Sequence, residues 1–309
     1  MLLAPSTRFG NEHLKALSLH QDLGPEDRFF WFTTTGWMMW NFMVSALALG
    51  SAVVLFDGDP AQSDLTRLWT TASETGTTVQ GVSAPFMMAC RKAGIEAAGL
   101  APTLRSIGST GAPLPAEGFR WVYNQFPNIY LTSISGDTDV CTAFVGGSPT
   151  LPVRAGEMSC RLLGAKVEAY DPDGVTVIDT EGELVITAPM PSMPVGFWND
   201  SGGERYRAEY FSTYPGVWCH GDWITVTAQG AFIITGRSDA TLNRGGVRIG
   251  TSEFYAVVEA LPEVADSLVV HLDDPVGPGA LVLFVALFDA EAARPTADLH
   301  QQINHSLRK

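Results

Sequence analysis

Between Asp27 and Asp139 the sequence alternates short apolar runs with helical stretches. "RFFWFT" reads as a strand, "WMMWNFMVSALALG" as a buried helix ending at Gly50, and "AVVLFD" as a second strand. Asp59 and Pro60 make an N-cap and first-turn pair. Leu65, Leu68, Trp69 and Ala72 follow at helical spacing, and Gly76 closes that helix. "TTVQGVSA" and "LRSIGSTG" are further short apolar runs, "AEGFRWVYNQF" a helix and "NIYLTSIS" another strand. Such alternation confines the chain to an α/β fold, a largely parallel sheet with helices on its faces. In these sheets ligands sit beyond the C-terminal ends of the strands. The ends here, "TTTG", "GSTG" and "SGDTD", are small, polar and glycine-bearing, as a crevice of nucleotide size requires.

From about Val145 to Gly236 the texture changes. "KVEAYD", "VTVID", "ELVITA", "WITVTA" and "AFIITG" are strand runs separated by the turn signals "DPDG", "DTEG" and "AQG". They predict a small antiparallel β-barrel or sandwich. Beyond Asp239, Thr251 or Ser252 can cap a helix carrying Phe254, Val257, Val258 and Leu261 on one face and stopped by Pro262. Strands "SLVVHL" and "ALVLFVALF" and a helix from Thr296 complete an α+β pattern that looks unfinished at Lys309. The expected division is an α/β part over residues 1–144, a β-barrel subdomain over 145–237 and an incomplete α+β domain over 238–309.

The net charge of −14 argues against a nucleic-acid partner, since no basic stripe overrides it. "GWMMWNFMVSALALGSAVVLF" approaches membrane-spanning length, but Asn41, Ser45, Gly50 and Ser51 interrupt it, and a buried helix followed by a strand fits better. The start "MLLAPSTRFG" lacks the apolar core of a signal peptide. Cys90, Cys141, Cys160 and Cys219 form no C-x-x-C pair, so reduced, packed cysteines in a cytoplasmic protein are expected.

The densest polar cluster is "HGDWITVTAQGAFIITGRSDATLNRGGVRIGTSEF", from His220 to Phe254. Together with "DRFFWFTTTGWMMWNF", "GSTGAPLP", "SISGDTD" and "GELVITAPMPSMPVGFW", in that order along the chain, it resembles the adenylate-forming acyl-CoA synthetases, and among them the acetoacetate–CoA ligase branch. The resemblance runs from about Glu12 to the end. It implies ATP (or AMP), Mg2+ and coenzyme A as cofactors and acetoacetate as a small-molecule substrate. It places Gly111, Ala112 and Pro113 along the adenine. It implies that Thr138 touches the phosphates, Asp139 helps hold magnesium, Asp222 accepts from both ribose hydroxyls, and Arg237 and Arg248 reach the ribose and the phosphate side. Gly246 would line the pantetheine tunnel, and Asp239 would be the hinge of the C-terminal domain. Trp37 and Met38 would line the acyl pocket or belong to the core, and His220 is read as structural. Acetate-activating relatives carry bulky aromatics where this chain has Ser135 and Gly136. The pocket is therefore expected to be longer, with Thr110 able to hydrogen-bond a ketone.

Two defining parts of the family pattern are missing from the sequence. No Gly-rich phosphate loop with its lysine precedes Glu12, and the Gly-Lys stretch that carries the catalytic lysine is not found by Lys309. A fragment with impaired adenylation is expected. One face of the parallel sheet is expected to lie bare. Asp137 adds a negative charge where a small residue is the rule. The competing readings are a non-catalytic remnant that binds AMP or CoA, and a ligase for another short-chain acid. A nicotinamide-dependent dehydrogenase is disfavoured, because no G-x-G-x-x-G opens a helix after a strand.

Overall fold

The computed structural model describes residues 2–3, 6–60, 64–238, 242–244, 247–249, 251–272, 280–288 and 297–307. The chain divides into two compact units, Met1–His220 with Ile224–Ile233, and Gly221–Trp223 with Ile234–Lys309.

In the first unit a two-residue strand β1 (Leu2–Leu3) precedes α1 (Ser6–Lys15), which continues through a π-helical turn at Ala16–His20. Then come β2 (Arg28–Trp31), α2 (Met38–Ser45) with a 3-10 turn at Ala46–Leu49, and β3 (Ala52–Val54). The alternation continues with α3 (Arg67–Thr75), β4 (Val79–Ser83), α4 (Ala84–Lys92), α5 (Ala97–Leu100), β5 (Ser106–Thr110), α6 (Ala116–Gln125) and β6 (Tyr130–Ser133). Gly50 and Gly76 end their helices in the left-handed conformation at φ 81° and 64°, as the sequence predicted. The α3 helix starts later than Asp59–Pro60. The Asp64 carboxylate accepts the Thr66 N–H at 2.7 Å, a local turn that delays helix entry to Arg67.

The five strands form one parallel sheet in the order β3-β2-β4-β5-β6. Strand order reverses at β2, so the switch point at which such sheets bind ligands falls between the C-terminal ends of β2 and β4. Neither face is bare. One packs Phe30, Val82 and Ile107 with Leu68, Trp69, Met87, Phe119 and Val122 of α3, α4 and α6. On the other, Phe29, Trp31 and Val79 lie against Leu17 of the π-turn and Met39, Phe42 and Met43 of α2. The α1 and α2 segments supply the cover that the sequence reading assigned elsewhere. The Trp31 indole lies across the sheet where Gly81 and Gly108 leave room. A Cβ at Gly81 would fall 1.9 Å from its Cδ2, and one at Gly108 2.5 Å from its Cη2.

Strands β7 (Ser135–Asp137), β8 (Thr142–Gly146) and β9 (Cys160–Arg161) form a three-stranded antiparallel sheet. Beyond them lie β10 (Val167–Tyr170), β11 (Glu181–Ile186), β12 (Gly196–Phe197), α7 (Glu204–Tyr210), β13 (Trp218–Val226) and β14 (Phe232–Arg237). A four-stranded sheet has the order β10-β11-β13-β14, and β1 pairs with β12. Met158, just before β9, exchanges backbone hydrogen bonds of 2.8 Å with Phe232 of β14, which links the two antiparallel sheets. Antiparallel strands thus lie where the turn spacing predicted a small β-barrel or sandwich, as separate three- and four-stranded sheets, and "VTVID" makes only an isolated bridge from Thr176 to Tyr170.

The second unit contains the hairpin β15 (Leu242–Arg244) and β16 (Val247–Ile249), then α8 (Thr251–Glu259), β17 (Val264–Leu272), β18 (Ala280–Leu287) and α9 (Ala297–Ser306). Val258, Val264, Leu299 and Ile303 form its core, with Phe254, Leu261, Leu283 and Val285 packed around them. Among the described residues no helix is long and apolar enough to cross a membrane. No disulfide joins any of the four cysteines, all of which lie among the described residues.

Candidate functional site

The turn after β5 is the first cluster. Gly111 has φ +90°, which a side chain would strain, and Gly111, Ala112 and Pro113 are all exposed. A Cβ at Gly111 would lie 3.7 Å from the Trp37 ring and 3.9 Å from Ser83 Cβ. The ends of β2, β4 and β5 therefore converge here, beside the reversal in strand order. Trp37 is half-buried at the start of α2 behind the exposed loop Thr34–Gly36, whereas Met38 is 8% exposed and belongs to the core. The structure thus separates two neighbours that the sequence reading paired. Thr110 spends its hydroxyl proton on the Ile134 carbonyl, at 3.0 Å. It can accept a hydrogen bond, but a ketone needs a donor.

The second cluster is the turn between β7 and β8. Thr138 is exposed, and its carbonyl accepts the Cys141 N–H at 3.1 Å. Cys141 closes the turn at φ +50°, an uncommon conformation for a residue other than glycine. His13 of α1 lies beneath it, with Nε2–H donating to the Cys141 carbonyl at 2.6 Å and Nδ1 2.7 Å from Ser45 Oγ on α2. The half-buried Asp139 carboxyl is pushed up to about 6 by burial, then by the neighbouring negative charges of Asp137 and Glu209. Tyr210 Oη donates to Asp139 Oδ2. The Asp137 carboxylate lies 3.9 Å from Nδ1 of the buried His220, whose ring meets Phe144 edge-on at 4.6 Å.

Gly136 has a structural reason of its own. A Cβ there would fall 2.1 Å from the Thr142 carbonyl oxygen and 2.5 Å from Ala143 Cα, at the irregular register between β7 and β8. Its missing side chain is required by the neighbouring strand, whatever space it leaves for an acyl group.

Among the described residues no three His, Cys, Asp or Glu side chains form a metal cage. A magnesium ion does not need one. It is commonly held by one or two carboxylates with phosphate oxygens and water. Asp139 is the carboxylate here that could serve in that way, and a cation would offset the burial and the repulsion from Asp137 and Glu209 that raise its pKa.

The third cluster belongs to the second unit. Asp222 on β13 is buried, and its Oδ1 lies 3.6 Å from Nη1 of the exposed Arg237 on β14. The Ser238 N–H donates to the Gly221 carbonyl at 2.8 Å, which ties the two strand segments together. Arg248 lies on β16 opposite Asn243. Gly246 and Asp239 lie outside the described residues. Sequence reasoning missed Tyr210 and the bond it makes. The repeat of aromatics in "ERYRAEYF", Tyr206 and Tyr210 four apart, was the available signal.

The AMP-binding enzyme family matches residues 10–195. An acetoacetyl-CoA synthetase from Mus musculus is 42% identical over 302 residues, covering 96% of this chain and 44% of the relative. An acetoacetyl-coenzyme A synthetase from Rhizobium meliloti is 44% identical over 302 residues, covering 96% and 46%. The solved structure of acetoacetyl-CoA synthetase from Streptomyces lividans superposes with a TM-score of 0.86 at 47% identity, covering 97% of this chain and 46% of that one. The chain spans less than half the length of these relatives. With residues 10–195 matched, well over half of its length, the chain belongs to the AMP-binding enzyme family.

Proposed function

We propose that the protein is an acetoacetate–CoA ligase, an acid–thiol ligase that works through an acyl-adenylate. The observation that carries this reading is similarity over nearly the whole chain to proteins named acetoacetyl-CoA synthetase. In the first half-reaction a carboxylate oxygen of acetoacetate attacks the α-phosphorus of ATP and pyrophosphate leaves. In the second, the sulfur of coenzyme A attacks the acyl carbon and AMP leaves. Both steps gather negative charge, so positioned donors and cations supply most of the acceleration.

In this reading the exposed turn Gly111–Pro113 lies along the adenine. Asp222 accepts from the ribose hydroxyls, Arg237 steadies that carboxylate and reaches the ribose, and Arg248 serves the phosphate side. The exposed Thr138 hydroxyl meets the phosphates. Magnesium, held by Asp139 with phosphate oxygens and water, would offset charge on the phosphates. Trp37 borders the acyl group, Gly246 admits the pantetheine arm and Asp239 serves as the hinge. Four cysteines with no disulfide among them suit a reducing, cytoplasmic setting.

Calorimetry tests the nucleotide half of the proposal. Asp222→Ala is expected to weaken AMP binding by about 1.5–3 kcal/mol, the usual range for hydrogen bonds to a charged group. Equal AMP affinity in both proteins removes Asp222 from the site. A pair of non-hydrolysable acyl-adenylates tests the acid. The acetoacetyl form should bind more tightly than the acetyl form, and equal binding refutes the choice of substrate.

A further inference from the structure

We propose that Tyr210 is a positioning residue for the Asp139 carboxylate, holding it in one orientation for a divalent cation. The inference rests on the reading of Asp139 as the magnesium-holding acid. Tyr210 is the last residue of α7, and its ring is buried. The ring stacks on Trp218 of β13 with centroids 3.6 Å apart and planes 12° from parallel. Phe197 and Tyr206 meet it at 5.9 and 5.6 Å. Packing from these three rings leaves the phenol little freedom, and its hydroxyl donates to Asp139 Oδ2.

The carboxylate needs such a partner. It sits in a tight turn, beside Asp137 and near Glu209, whose charges both oppose its own. A carboxylate in that field turns away from its neighbours unless a donor holds it. Tyr210 engages one oxygen and leaves Oδ1 as the oxygen not bound to it. A single oxygen in a set orientation suits a small cation that demands near-octahedral geometry and binds few protein ligands. Partners that orient ligating carboxylates in this way commonly contribute ten- to a hundredfold in metal affinity. The bond joins residues 71 apart in sequence, so α7 and the β7–β8 turn must both be in place before the carboxylate is set.

The test uses Tyr210→Phe, which removes the hydroxyl and keeps the ring on Trp218. Mn2+ is titrated into the chain in the presence of ATP, with free Mn2+ followed by electron paramagnetic resonance. AMP affinity without metal is measured alongside. We expect Tyr210→Phe to raise the Mn2+ dissociation constant about tenfold, with metal-free AMP affinity unchanged within about twofold. Tyr210→Leu, which loses the ring as well, should lose metal affinity at least as far and also lower the unfolding temperature. Asp139→Asn separates the two claims. If Asn weakens Mn2+ binding and Phe does not, Tyr210 is only a packing residue and the metal reading stands. If Asp139→Asn leaves Mn2+ binding unchanged, or the unsubstituted chain binds none with ATP, the metal reading fails and this inference falls with it.

Discussion

Replacing Gly108 by alanine should be among the most damaging single-methyl additions in the parallel sheet. The added Cβ would lie 2.5 Å from Trp31 Cη2 and 2.6 Å from Cζ3. Carbon atoms prefer about 3.5–4.0 Å, so the indole must shift by about 1 Å or the strands must part. The indole has little room to move. It is 1% exposed, meets Phe29 and Phe42 edge-on at 5.9 and 6.0 Å, and already lies over Gly81. Overpacking a close-packed core typically costs about 1–3 kcal/mol, and an immobile obstacle puts Gly108→Ala at the upper end, about 3 kcal/mol. Trp31→Phe should itself destabilise by about 2–3 kcal/mol through the cavity it leaves. It also removes Cη2, Cζ2 and Cζ3, the atoms that the new methyl meets. In that background Gly108→Ala should be neutral, or stabilising by up to about 1 kcal/mol as the unfolded chain loses freedom. The coupling energy is then about 3 kcal/mol, large for a contacting pair. Gly81→Ala should be rescued less, because it meets the ring-fusion atoms Cδ2 and Cε2, whose space a phenyl ring still partly fills. Urea unfolding of the four proteins of the cycle, followed by circular dichroism, measures this. A cost below about 0.5 kcal/mol for Gly108→Ala, or equal costs in both backgrounds, refutes the reasoning.

Stability should fall as pH drops from about 7 towards 5, in part through His20. Its Nδ1–H donates to the Gly147 carbonyl at 2.9 Å and its Nε2 accepts the Leu163 N–H at 3.1 Å, so the folded state needs the neutral ring. Burial lowers its pKa, opposed by the Gly147 carbonyl and helped by Lys15. Below the unfolded value of about 6.5 the unfolded chain therefore binds more protons, and stability is lost as pH falls towards the folded value. His20→Gln should flatten the profile of unfolding midpoint against pH, and an unchanged slope counts against this assignment. Gly136→Ala should destabilise the β7–β8 hairpin by about 3 kcal/mol or more, because its methyl meets main chain that cannot rotate away. Hydrogen exchange should then rise at Thr142–Gly146, and unaltered protection there would refute the close approach.

The strands of the parallel sheet were legible because they are apolar runs that end in small residues. Gly50 and Gly76 were legible because a left-handed helix end favours glycine. The first helix was not. "STRFGNEHLK" carries a glycine and several polar residues, and its second half is fixed from outside. His13 is held from Cys141, 128 residues away, and His20 from Gly147, 127 residues away. Long-range hydrogen bonds leave no periodic trace in the sequence. The start of α3 was misplaced for a local reason, since Asp59–Pro60 and Asp64–Leu65–Thr66 both carry entry chemistry and only the fold chooses between them. At the candidate site the residue types were legible from ordered motifs, and their partners were not. Nothing in "SGDTD" shows that Tyr210 holds its last carboxylate or that His13 supports the turn.

Gly136 shows how one residue type can answer to two causes, of which the sequence displays only one. A small residue ahead of a Thr–acid pair reads as space for a longer acyl group. In the folded chain the same glycine is demanded by the Thr142 carbonyl and Ala143 Cα, which lie where its Cβ would be. The two causes are compatible, but they differ in what a substitution measures. A bulky residue at 136 must first displace β8, and β8 continues from the turn that presents Thr138 and Asp139. Any change in substrate preference would then be mixed with damage to that turn. Thr110 is a poor probe as well, because removing its hydroxyl also removes the bond to the Ile134 carbonyl. Ser135 is the half-buried neighbour that also bears on the expected pocket length, and Trp37 borders the Gly111 turn without belonging to it. Substrate length is better tested at Ser135 and Trp37, which already carry side chains, so a change of size there does not start from the clash with Thr142 and Ala143 that any side chain meets at position 136.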